Sequence, residues 1–238
     1  MKSDKELSIW FRFFSFIYKP KIDKLSKSFI RNSLELLSLF IFGFVLRITI
    51  SLITPYFVNI PMEGVSGDDE TSLYFILVAC LLSPLIEEIA FRLPLLFSNI
   101  NFSFSATIIS FFIVNRFFHL DDHFDVQHYF ILRVIISCLF GFLVWLIVRK
   151  YHIIFENFYN KRLEVIVYSY SLLFAFMHIA NYDMESANYL LFSIFIMLPH
   201  FISAFILSFV RLNYGFSYAL FLHILNNMIP LIIICFII

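Results

Sequence analysis

The chain has 238 residues, of which 61% are hydrophobic, 20% aromatic and only 14% charged, with a formal net charge of +0. A soluble domain carries roughly 45–50% apolar and about 25% charged residues, so the composition excludes an ordinary water-soluble domain and predicts an all-α, polytopic membrane helix bundle. Cys80, Cys138 and Cys235 fall in apolar stretches at unrelated spacings, which argues against a disulfide framework or a cysteine metal site and leaves them as packing residues.

In chain order, residues 1–33 form a basic N-terminal segment. Lys2, Lys5, Arg12, Lys19, Lys21, Lys24, Lys27 and Arg31 outnumber Asp4, Glu6 and Asp23 there. Within it, Ile9–Tyr18 is aromatic and flanked by lysines, as expected of a stretch lying in the inner interface beside anionic lipids. The first apolar run is too long for a signal h-region and lacks a small-x-small cleavage site, so it is expected to stay as an anchor.

Residues 34–238 read as a single transmembrane domain. A spanning helix needs about 20 mostly apolar residues, which predicts seven spans at 34–58, 71–97, 102–118, 129–149, 164–181, 189–210 and 217–238. Basic residues mark the cytoplasmic side. They cluster before the first span, around the fourth-to-fifth connection (Arg149, Lys150, Lys161, Arg162) and after the sixth (Arg211). The alternate connections carry Glu63, Asp68, Asp69 and Glu70, then Asp121, Asp122 and Asp125, then Asp183 and Glu185. The N-terminus is therefore expected in the cytoplasm and the C-terminus outside. Arg116 and Arg133 run against the pattern, and the acidic loop between them is expected to neutralise both. Many Phe, Ile, Asn and Lys residues with few Gly suggest an AT-rich bacterial genome, hence a bacterial inner (plasma) membrane.

Three spans carry polar groups that lipid does not tolerate. Glu87 and Glu88 lie together in the second, and one intramembrane carboxylate costs about 2.5–3.5 kcal/mol on insertion scales. Glu88 and Arg92 are spaced to share a helix face and pair. Glu87 points elsewhere and is left to act on water. Pro84, one turn earlier, cannot donate to the Cys80 carbonyl, which predicts a kink or a widened turn. The fifth span carries His178, four residues after Phe174, and the seventh carries His223 and Asn227 on one face. Taken singly, a Glu–Arg pair is a structural clamp and a lone histidine a helix contact. Gathered around shared water, the groups satisfy one another.

In that order, Glu87-Glu88-x-x-x-Arg92, Phe174-x-x-x-His178 and His223-x-x-x-Asn227 resemble the three-motif signature of the CPBP intramembrane proteases. That family includes type II CAAX prenyl proteases and bacteriocin-immunity proteins. The resemblance runs from about Leu73 to the C-terminus. It implies a glutamate-dependent endopeptidase in which Glu87 and His178 activate water. His223 and Asn227 then stabilise the oxyanion, and Glu88 and Arg92 support the site. Two extra spans separate Glu87 from His178 compared with the family pattern. His119 stands at the more usual distance, but Asn115 occupies the place of the motif phenylalanine, so His178 is preferred.

The same chemistry follows from the residue types. A carboxylate in a water-poor cavity is a plausible general base, and amide and imidazole N–H groups suit an oxyanion. Zinc held by glutamate and two histidines is the metal alternative, although no His-Glu-x-x-His spacing occurs and asparagine is a poor ligand. A second candidate metal site is the external His119/His123/Asp125 loop, for which a solvated connection is the plainer reading. The expected partners are the bilayer and a hydrophobic or lipid-anchored peptide substrate, with no nucleic acid. Two other functions fit the same groups: a non-catalytic immunity or scaffolding protein, and a proton-coupled transporter. Against the transporter stands the lack of repeated halves.

Overall fold

The computed structural model describes residues 8–23, 29–57, 76–118, 129–179 and 189–237, and every regular element among them is helical. The acidic connections at 59–70 and 119–128, with His119, and the one bearing Asp183 and Glu185 lie outside the described residues.

The helices are α1 (Ile9–Tyr18), α2 (Phe29–Phe57), α3 (Ser83–Phe91), α4 (Asn99–Phe117), α5 (Phe130–Lys150), α6 (His152–Lys161), α7 (Leu163–Ile179), α8 (Tyr189–Asn213) and α9 (Phe216–Ile237). A π-turn at Val78–Leu82 precedes α3, and a 3-10 turn at Leu93–Leu95 follows it. Among the described residues, four helices are long and apolar enough to cross a membrane: those containing 30–54, 99–117, 130–150 and 193–213. A fifth span results if α6 and α7, bent by 90° to one another, count together. Seven spans are therefore not reached by length and composition among the described residues. The expected 71–97 span is interrupted in its described part by the π-turn, a nine-residue α3 and the 3-10 turn. The expected 164–181 span yields a 17-residue α7.

α8 occupies the centre. Of its most apolar window, 47% is buried inside the protein, against 22% for each of the other three long helices, so α8 is enclosed by protein while those three keep most of their surface outward. Ala204 to Val210 are all buried. Gly43 of α2 meets this helix closely: a Cβ there would stand 2.7 Å from Ile206 Cδ1. Gly141 plays the same part where α5 meets α4, because a Cβ would overlap the Thr107 side chain and lie 3.2 Å from the Ser103 carbonyl. Small residues at such crossings let lipid-solvated helices come close enough for dispersion contacts.

α1 is bound into the bundle more firmly than an interfacial segment requires. Ser8 caps it by accepting from the Phe11 amide at 3.3 Å. Its Ile9, Phe13 and Phe16 are buried, and the Phe16 ring lies 5.2 Å from Phe209 of α8. Arg12 donates to the Tyr214 hydroxyl at 2.5 Å, and Tyr214 donates to Glu35 at 2.7 Å. The opposite side, with Phe11, Phe14 and Tyr18, is exposed and presents the apolar face expected toward lipid.

The short α8–α9 connection aligns α9 with the site. Tyr214 and Gly215 both direct their amides to the Val210 carbonyl, at 2.8 and 3.1 Å. Gly215 has φ +112, a conformation that glycine adopts without a Cβ penalty. The chain then turns back along α8 and carries His223 and Asn227 to α3.

Candidate functional site

The local fault that shapes the site begins at Pro84. In an α-helix the Ser83 amide would reach Ala79 and residue 84 would reach Cys80. Here Ser83 instead donates to the Val78 carbonyl, one residue further back, and Pro84 has no N–H to offer. The Ala79 carbonyl thus loses the Ser83 amide and gains nothing from Pro84. Asn227 of α9 fills that place, donating Nδ2–H to it at 3.0 Å. The widened turn anticipated from Pro84 is the π-turn, and it anchors one of the expected site residues.

Four of the expected residues converge beyond this turn. His223 stands between the two carboxylates: Nδ1 is 2.8 Å from Glu88 Oε1, and Nε2 is 3.4 Å from Glu87 Oε2. Ionised carboxylates only accept hydrogen bonds, so Nδ1 carries a proton toward Glu88. Nε2 faces Glu87 Oε2 at 3.4 Å without a hydrogen bond. Ser83 donates its hydroxyl to Glu87 Oε1 at 2.6 Å. Glu87 is therefore not the partnerless carboxylate that its position on the helix suggests. Its Oε2 accepts no hydrogen bond among the described residues, and its side chain keeps 16% exposure where Glu88 has none.

Arg92 Nε lies 3.4 Å from Glu88 Oε1, as the spacing predicts. Both side chains are essentially sealed, at 1% and 0% exposure. The guanidinium makes no hydrogen bond among the described residues and lies 4.1 Å from the Phe174 ring centroid. Desolvated cation–π contacts of this kind are worth about 2 kcal/mol. The Arg92 carbonyl, at the C-terminal end of α3, accepts from Arg211 Nε at 3.1 Å, which places a cation at the negative end of that helix.

His178 sits on the far side of Phe174, whose ring lies 4.4 Å from the His178 ring and 5.8 Å from the His223 ring. Its Nδ1 is 2.8 Å from the Phe174 carbonyl, an arrangement that puts the proton on Nδ1 and leaves Nε2 as the reactive nitrogen. No hydrogen bond joins His178 to Glu87 among the described residues.

Three neighbours were not singled out by the sequence reading. His200 of α8 stacks on His178, with ring centroids 3.9 Å apart and planes 25° apart. Arg47 of α2 donates to Asn226 Oδ1 at 2.9 Å. Ser83 is the third. Arg47 and His200 are ionisable residues inside apolar spans, which alone marks a candidate site, and Ser83 stands at helical spacing from Glu87. Among the described residues no group of three or more His, Cys, Asp and Glu side chains is arranged to hold a metal.

Comparison with protein-family models, curated proteins and solved structures finds no match to this chain.

Proposed function

We propose that this protein is an intramembrane endopeptidase of the CPBP type, cutting membrane-anchored or hydrophobic peptides with water activated by Glu87. The observation that carries the reading is the Ser83–Glu87–His223–Glu88 chain. It gives one buried imidazole two carboxylates of unequal exposure, the pattern by which paired titratable groups divide acid and base roles. Glu87, the more accessible carboxylate, takes a proton from water as the water attacks the peptide carbonyl. His178, with Nε2 unprotonated, orients that water. His223 and the second N–H of the Asn227 amide donate to the developing oxyanion, while Glu88 and Arg92 hold His223 in place. Proton return through Glu87 releases the amine.

On this reading the chain crosses a bacterial inner membrane seven times, the short helices α3 and α7 and the 22-residue α9 completing the count inside the bundle. The N-terminus lies in the cytoplasm. The test is quantitative proteomics of membranes holding the wild-type chain or Glu87→Gln. Uncut substrates should accumulate in the variant, and identical proteomes would defeat the proposal.

A second reading is favoured by the Asn227–Ala79 hydrogen bond, which uses an expected catalytic amide to repair the helix. A non-catalytic immunity or scaffolding protein would keep the cluster for this structural purpose. It predicts that Glu87→Ala preserves the cellular phenotype while Arg92→Met abolishes it.

A further inference from the structure

Single residues, Tyr151 and Arg162, join α6 to α5 and to α7, so the direction of α6 is set by its neighbours. α5 is long and apolar enough to cross a membrane, and α6 begins where it ends. α7 packs along α8, and α6 is bent by 90° from α7. A helix placed in this way lies across the bundle, at the depth where hydrocarbon gives way to water.

The side chains of α6 divide to match. His152, Phe155 and Tyr159 meet the bundle: the His152 and Tyr159 rings lie 5.3 and 4.9 Å from Phe97, and the Phe155 ring lies 5.9 Å from Phe102. Ile154 and Phe158, one turn apart, share a second side and are exposed. Glu156 and Asn160 share a third side and are exposed as well, with Ile153 beside them at the α5 end. An exposed apolar side next to a polar one is the pattern of a helix lying in a membrane interface. Cations close both ends. Arg149 and Lys150 precede α6, Lys161 ends it and Arg162 follows, all four exposed. Against them stand Glu156 and Glu164, which face His152 at 3.6 Å and Arg162 at 3.9 Å.

We infer that α6 binds anionic phospholipid, its Ile154 and Phe158 side among the upper acyl carbons and its two cation pairs on the headgroups. Zwitterionic lipid offers the same hydrocarbon but no net charge for the cations to meet, whereas lysines and arginines at the surface draw in anionic lipid. A soluble acidic protein would meet the cations and leave the apolar side without hydrocarbon. The contact reaches the candidate site from outside it. Phe97, held by α6, follows the 3-10 turn that ends α3, and α7 leaves the other end of α6. Lipid that seats α6 therefore steadies the elements carrying Glu87 and His178. Binding requires no cleavage and does not rest on the protease reading.

The test puts a single tryptophan on the apolar side of α6. The full chain carrying Trp10→Phe, Trp145→Phe and Phe158→Trp is reconstituted in vesicles of equal parts phosphatidylcholine and phosphatidylglycerol, with brominated acyl chains on one lipid at a time. Bromine quenches tryptophan on contact. Quenching is expected to report phosphatidylglycerol enriched at least about threefold beside α6, and bromines near the carbonyl end should quench more than bromines near the methyl end. Adding Arg149→Gln, Lys150→Gln, Lys161→Gln and Arg162→Gln together should abolish the enrichment. Equal quenching by the two lipids overturns the proposal without any charge variant. Stronger quenching by the deep bromines, or none by either lipid, overturns it too, because Phe158 then lies outside the interface. Enrichment that survives all four substitutions also overturns it, since the preference then belongs to other charges. Peptide cleavage enters none of these outcomes, so the failure of either reading leaves the other standing.

Discussion

The side-chain amide of Asn227 donates to the carbonyl of Ala79 at 3.0 Å, one helix completing the hydrogen bonding of another. Leaving a buried carbonyl unsatisfied costs about 1–3 kcal/mol. Asn227→Ala should therefore lower stability by that amount in thermal unfolding of the detergent-solubilised protein. Asn227→Asp should cost at least as much, since an ionised carboxylate has no donor for Ala79. If Asn227→Ala unfolds at the wild-type temperature, the π-turn does not depend on this contact.

Arg92 and Glu88 are buried together, so removing one strands the other. Arg92→Met should destabilise the protein by about 3–5 kcal/mol, the cost of an uncompensated buried charge. The double variant Glu88→Gln/Arg92→Met should recover a good part of the loss. A double-mutant cycle measures this, and additive effects would mean that the 3.4 Å ion pair carries no coupling.

The Phe174 ring adjoins the Arg92 guanidinium and the His178 and His223 imidazoles. Phe174→Leu keeps most of the apolar volume and removes the ring face, so its cost should approach the cation–π contribution, about 2 kcal/mol. Phe174→Ala should cost about 3–5 kcal/mol through the added cavity. Chemical unfolding of the two variants separates ring electrostatics from volume.

Glu87→Gln keeps the shape of the side chain and should leave the unfolding temperature near that of the wild type. On the protease reading, cleavage of an identified substrate should fall by about 100-fold or more, the usual contribution of a positioned general base. Single-turnover measurement on reconstituted protein is the check.

Away from the membrane core, burial and then the hydrogen bond to Glu35 push the Tyr214 phenol above its ordinary value of 10.0. The folded protein keeps this proton at a pH where the unfolded chain has lost it. The contribution to stability is whole below pH ~10 and declines as pH rises further. Wild-type protein should therefore lose more stability between pH 9 and pH 11 than Tyr214→Phe does. Equal losses in the two proteins would remove Tyr214 from the account.

Much of the site is legible in the sequence because it rests on local rules. The spacing of Glu88 and Arg92 gives their ion pair, and Pro84 announces a disturbed turn. Polar groups on separate apolar helices have few places to go except toward each other, which is why His223 reaches both glutamates. The unread parts depend on packing across the chain. Arg47 and His200 are far apart in sequence, and neither sits in a short motif, so only the meeting of α2, α8 and α9 joins them. Hydropathy counts apolar residues without asking whether they form one continuous helix, so the 71–97 stretch reads as one span although α3 is only nine residues long and a 3-10 turn follows it at Leu93–Leu95. α1 looked like a surface anchor because its aromatic content suits lipid as well as Phe205 and Phe209.

The π-turn also makes the two ends of one short helix respond differently to a change in chain length. Its widened rung holds an extra residue, so excising one position between 78 and 82 would let the helix close while Glu87 and Glu88 keep their bearing. Excising Leu85 or Ile86 would swing everything downstream by about 100°, turning the carboxylates away from His223. Tolerance to deletion should therefore change abruptly across Pro84.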